Sequence, residues 1–239
     1  MKTVIVTGGT RGIGLAIATE LATSSYQVIA IARRESDELK AAMDQHEGVQ
    51  FHPFDLADIA AIPELVKTIR KQSGPIYGLV NNAGMGTSGL LANTKNEAIE
   101  ETVRLNTVSP IVLTKYVTRG MMADGAGRII NIASIVSSTG MKGLSVYGAT
   151  KTAMVGFTRS LARELGPIGI TVNAIAPGYI DSAMTESLAP DQRERLIGRS
   201  ALRRLAEPGD VAKAAQFLLS EGARNITGTV LTVDAGSTA

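Results

Sequence analysis

"TVIVTGGTRGIGLAIATELA", residues 3–22, decides the fold. Its first four residues are a short, mostly β-branched run that reads as a strand. A turn carrying Gly8, Gly9, Gly12 and Gly14 follows. Ile13, Ile17 and Leu21 then recur every four residues on one helix face. Strand, glycine turn and helix together make the opening of a nucleotide-binding unit. The spacing Gly8-x3-Gly12-x-Gly14 is not G-x-G-x-x-G, but the physics carries over. Glycines allow a tight turn and a close backbone approach to a pyrophosphate at a helix N-terminus.

Apolar runs like the first recur along the chain. Besides 3–6, they lie at 27–32, 48–53, 76–81, 128–133, 171–176 and 229–234. They are continuous rather than alternating, as expected of strands buried on both faces. Helical periods separate them, so the chain predicts an α/β fold: a Rossmann-like, doubly wound, parallel seven-stranded sheet with helices on both faces. No linker, low-complexity run or repeat divides residues 1–239, which predicts a single domain. Ligands of such sheets bind beyond the carboxyl ends of the strands.

Composition narrows the function. The chain has 239 residues, 44% apolar, with a formal charge of +2 and 4% aromatics. That balance argues against a nucleic-acid partner. With no cysteine, disulfides and thiolate metal sites are out. The two histidines, His46 and His52, flank a strand without a ligand cluster, and no metal is expected. No stretch suits a signal peptide or a membrane span, which predicts a cytoplasmic, soluble protein.

The end of the second candidate strand reads Ala32-Arg33-Arg34. NAD-binding folds often place a carboxylate there for the ribose 2′-hydroxyl. Two guanidiniums, with Arg11 from the glycine turn, suit a 2′-phosphate instead and predict NADP(H). "YGATK", 147–151, offers a second site. In a helix Tyr147 and Lys151 share a face. Lowering a phenol pKa by two to three units takes about 3–4 kcal/mol, which a neighbouring ammonium is expected to supply in large part. Ser134 ends the fifth strand thirteen residues earlier and would polarise a substrate oxygen, with Ser137 and Ser138 as competitors.

"TGGTRGIG", "NNAG" (81–84), Asn106, Ser134, "YGATK" and "PG" (177–178) resemble, in order and spacing, the short-chain dehydrogenase/reductase family. The likeness covers essentially the whole chain. It is strongest to bacterial 3-oxoacyl-[acyl-carrier-protein] reductases, through "GRIINIAS", "SLARELGPIGITVNAIAPGYI" and "ITGTVLTVDAG". The resemblance implies that Tyr147 is the acid, Lys151 its modulator and ribose holder, and Ser134 the carbonyl donor. Asn106 would hold a water in a relay from Lys151. Gly8, Thr10, Arg11, Gly12, Ile13 and Gly14 would cradle the cofactor. Asp55 and Leu56 would meet its adenine, although Asp55 alone reads as a helix cap. Asn81 would support the sheet and cofactor edge, with Asn82, Ala83 and Gly84 beside the cofactor. Pro177, Gly178, Ile180 and Ser182 would line the nicotinamide, Ser182 standing where threonine is common.

The implied reaction is NADPH-dependent reduction of a ketone, foremost a 3-oxoacyl thioester. Alternatives are a secondary-alcohol, sugar or steroid-like dehydrogenase, or a non-catalytic NADP(H) sensor. A homotetramer is implied, pairing helices around 95–122 and 147–166. Carrier-protein docking lacks support, because Gly125 and Ile168 stand where basic residues are expected. A lid is expected over 182–207. Its arginines 193, 195, 199, 203 and 204 read either as contacts for an anionic tail or as a solvated face with internal ion pairs.

Overall fold

The computed structural model describes residues 1–181 and 190–239. Seven parallel strands form one sheet in the order β3-β2-β1-β4-β5-β6-β7. They are β1 (Lys2–Thr7), β2 (Tyr26–Ala32), β3 (Val49–Pro53), β4 (Ile76–Asn81), β5 (Gly127–Ile132), β6 (Ile170–Pro177) and β7 (Val230–Val233). Each of the seven apolar runs of the sequence falls on one of these strands. Strand order reverses between β1 and β4, so the crevice that binds ligands in such sheets opens above those two strands.

Alternation along the strands sorts the core into two layers. Val4 and Val6 face one side, against Ile17, Ala18 and Leu21 of α1 (Gly12–Thr23). Val211, Ala215 and Leu218 of the helix Pro208–Leu219 close that layer. Ile5 faces the other side. It shares a cluster with Ile62 and Ile69 of α3 (Ile62–Ser73), Leu113 and Val117 of α5 (Ser109–Asp124), and Leu165 of α6 (Ser145–Leu165). The short α2 (Asp37–Gln45) follows β2, and α4 (Asn96–Val103) precedes α5.

Between α4 and α5 the helix widens into a π turn, Arg104–Val108, which contains Asn106. One such wide turn rotates every later side chain relative to the earlier ones. Asn106 is 2% exposed, on the face of buried Thr102 one turn before it.

Candidate active site

The glycine turn is held from both sides. Gly8 N donates to the Ile31 carbonyl at 2.8 Å. Asn82 Nδ2 donates to the carbonyls of Thr7 and Gly8 at 2.9 and 3.3 Å. Thr7 Oγ1 accepts from the main-chain N–H of Asn82 and of Ala83, at 2.9 and 3.0 Å. The "NNAG" segment and the glycine turn are thus one hydrogen-bonded unit at the switch point. Nothing in the spacing of the sequence marks Thr7, whose role appears only when β1 and β4 lie side by side. Thr7→Val keeps the shape but leaves two N–H groups without an acceptor. We expect a loss of about 2 kcal/mol, or roughly 4–8 °C in Tm, measured by thermal unfolding.

The turn fits a diphosphate. Gly8 and Gly12 have φ of +66° and +54°. A Cβ on Gly14 would stand 2.1 Å from the Gly8 carbonyl oxygen, so only glycine permits this approach of helix to turn. Arg11 is the N-cap of α1 yet makes no side-chain cap, and no acid occupies the first turn. The free N–H groups of such a helix start favour an anion. Ile13 packs against the core, and Thr10 and Arg11 edge the turn. Arg33 and Arg34 stand exposed after β2.

Farther along the strand ends, Asp55 Oδ1 accepts from Ala57 N at 2.9 Å. The cap of the helical turn is Asp58, whose Oδ1 accepts from Ala61 N, so the cap reading of Asp55 is corrected by three positions. Leu56 is buried in the core, which leaves its main chain to face a ligand. Asn81 also turns inward, donating to Thr114 Oγ1 and Asn131 Oδ1 at 3.0 and 2.8 Å. Pro177 ends β6, and Gly178 packs so tightly on Asp234 that a Cβ would lie 2.6 Å from its Cβ. Ile180 pairs with Ala206. Ser182 lies outside the described residues.

The chemistry-bearing groups converge at the ends of β4 and β5. The Ser134 and Tyr147 side chains neighbour each other. Ser137 and Ser138 instead donate to carbonyls of their own turn, Ser134 O at 2.6 Å and Ile135 O at 3.0 Å. Lys151 is 6% exposed and donates to the Ile132 carbonyl at 2.8 Å. Its Nζ lies 5.7 Å from the centre of the Tyr147 ring. A Cβ on Gly84 would be 3.6 Å from the same Nζ, so the loop after β4 and the lysine lie side by side.

The ionisation of both groups is shifted. Burial pushes the Tyr147 phenol up, partly offset by the neighbouring Ser134 hydroxyl. Burial lowers Lys151 from 10.5 to about 8. For both groups burial is the largest cause of the shift. A raised phenol stays protonated at neutral pH, the form an acid needs.

Asn106 is held by three side-chain hydrogen bonds. Its side-chain Oδ1 accepts from Met85 N at 2.9 Å, and its Nδ2 donates to Met85 O and Thr150 Oγ1 at 2.8 and 3.1 Å. Thr150 in turn donates to the Tyr147 carbonyl at 2.7 Å. The side-chain amide therefore clamps the loop after β4 to α6. Of the arginines after position 190, Arg193 binds Asp181, at 2.8 Å, and none pairs with Asp191, Glu194 or Glu207 among the described residues. The internal ion pairs expected for this face are not formed there.

Residues 8–238 match the family model described as Enoyl-(Acyl carrier protein) reductase. The chain belongs to the short-chain dehydrogenase/reductase family. Among its relatives in this family, the 3-oxoacyl-[acyl-carrier-protein] reductase FabG of Haemophilus influenzae is 41% identical, across 98% of this chain and 97% of that one. FabG of Pseudomonas aeruginosa is 40% identical and that of Escherichia coli 38%, each across 98% of this chain and 96% of the other. The solved structure of ElxO with NADP bound superposes with a TM-score of 0.92 at 32% identity, covering 99% of this chain and 98% of that one. A tyrosine-to-phenylalanine variant of ElxO with NADPH bound gives 0.90 at 31%.

Proposed function

We propose that the chain is an NADPH-dependent reductase that converts the ketone of a 3-oxoacyl thioester to a secondary alcohol. The observation that carries this reading is the grouping of half-buried Ser134 and Tyr147 with buried Lys151, beside a glycine turn that is backed by arginines instead of a carboxylate. NADPH, when bound, supplies the hydride. Ser134 donates a hydrogen bond to the substrate carbonyl oxygen, and Tyr147 gives its proton to that same oxygen. Lys151, cationic below about pH 8, holds the ribose and steadies the phenolate left behind. Gly8, Gly12 and Gly14 would hold the cofactor, with Asn82, Ala83 and Gly84 on its flank, and Arg33 and Arg34 would take its 2′-phosphate.

The matched family description names reduction of a carbon–carbon double bond. Two neighbouring hydroxyls suit a carbonyl oxygen, and full-length relatives near 40% identity carry the 3-oxoacyl name. We take residues 1–239 as one catalytic domain. A CoA-linked or free substrate is favoured over carrier docking, since exposed Gly125 and partly buried Ile168 offer no cation. The same reading takes a cytoplasmic homotetramer, for which exposed Val103, Val108 and Met122 near α4 and α5 supply apolar surface. Among the described residues no helix is long and apolar enough to cross a membrane.

The test is oxidation of NADPH with acetoacetyl-CoA, run beside NADH. Turnover should prefer NADPH, and Arg33→Asp should raise its KM about 10- to 100-fold by removing a charge-assisted bond and adding a repulsive carboxylate. Equal use of both cofactors by the parent protein would sink the 2′-phosphate assignment.

A further inference from the structure

Cofactor choice needs more than arginines; it needs them held together. Arg11 comes from the glycine turn, and Arg33 and Arg34 come from the loop after β2. One side chain joins these two segments. Ser36 Oγ donates to the Thr10 carbonyl at 2.6 Å, across 26 positions of sequence. The same oxygen accepts from Leu39 N at 3.1 Å and caps α2. A trans peptide holds its C=O and N–H on opposite sides. Fixing the Thr10 carbonyl toward Ser36 therefore turns the Arg11 N–H the other way and sets where the Arg11 side chain leaves the turn.

The surrounding charges fit the same purpose. Glu35 and Asp37 flank Ser36, yet Lys40 Nζ lies 3.7 Å from a carboxylate oxygen of each. Arg11, Arg33 and Arg34 are exposed and make no side-chain ion pair or hydrogen bond among the described residues. Three guanidiniums without a carboxylate partner are carried on two segments that Ser36 straps together. Like charges gain nothing from such proximity unless an anion joins them.

We infer that Ser36 is a positioning residue for cofactor choice: its hydroxyl sets the register between the glycine turn and the Arg33–Arg34 loop, so that both segments act on one 2′-phosphate. The inference rests on the NADPH reading above. It touches no atom of the reacting centre, so its effect should appear in cofactor discrimination rather than in kcat.

Two variants separate this role from simple capping. Ser36→Ala removes the hydroxyl and the cap together. Ser36→Gly removes the hydroxyl, yet glycine is itself a good N-cap. Kd values for NADPH and NADH would be measured by fluorescence titration, with Tm as a check. Both variants should weaken NADPH about five- to tenfold while NADH changes less than about twofold, and Ser36→Thr should restore the parent ratio. Equal weakening of both cofactors, or an unchanged NADPH Kd in Ser36→Gly, would overturn the inference while the NADPH reading stands. A parent protein that binds both cofactors equally would remove the reading and the inference together.

Discussion

Tyr147→Phe is expected to lower kcat by roughly 10²–10⁴-fold, the span of general-acid catalysis, while NADPH binds within about twofold of the parent. The substitution deletes one hydroxyl and keeps the ring. The helix around it should hold, because Thr150 bonds to the Tyr147 carbonyl and Lys151 to the Ile132 carbonyl, neither through the phenol. Ser134 loses a neighbouring hydroxyl but can turn its own toward solvent or substrate. The phenol is protonated at neutral pH, and burial pushes its pKa further up. Single-turnover measurements with saturating NADPH and acetoacetyl-CoA would isolate the chemical step. A variant retaining more than about a tenth of the parent rate would assign the proton to another group.

The sheet was legible because its strands are buried on both faces. A seven-fold recurrence of apolar runs has no better explanation than a parallel core, and each run lies on a strand. The glycine turn was legible for a related reason: few structures need glycine at 8, 12 and 14 at once, and Gly14 has no room for a methyl group. Positions within the site were harder to read. Asn106 lies within a π turn, and nothing in the 3.6-residue period of "NEAIEETVRLNTV" announces one. Thr7 and Ser36 matter through bonds across 75 and 26 positions, which local pattern cannot reveal. The ionisation of the pair was harder still to read, because burial is the largest influence on both groups. Spacing shows that a phenol and an ammonium share a helix face, but the dielectric around them depends on what the neighbouring strands and loops cover.

That covering gives Lys151 a thermodynamic signature. Its folded pKa is about 8 against 10.5 in the usual lysine. Below about pH 8 the folded and unfolded chains both carry the proton, and the full cost of burying the cation is present. Between about 8 and 10.5 the unfolded chain still binds the proton and the folded chain does not, so stability rises with pH. Above 10.5 the gain is complete. At about 1.36 kcal/mol per unit the difference amounts to roughly 3 kcal/mol. Lys151→Met replaces the group with an apolar chain of similar length and cannot titrate. Urea unfolding of the cofactor-free proteins at several pH values should show the parent gaining roughly 3 kcal/mol on the variant as pH rises through this window. Other groups titrate in both proteins and cancel in the comparison. The cofactor reverses the sense: anionic phosphates and a ribose beside Nζ favour the charged lysine, so NADPH affinity of the parent should fall above about pH 8 while that of Lys151→Met stays level. A constant stability difference across the window would mean that the lysine titrates as if it were in water, and the buried proton site would have to be abandoned.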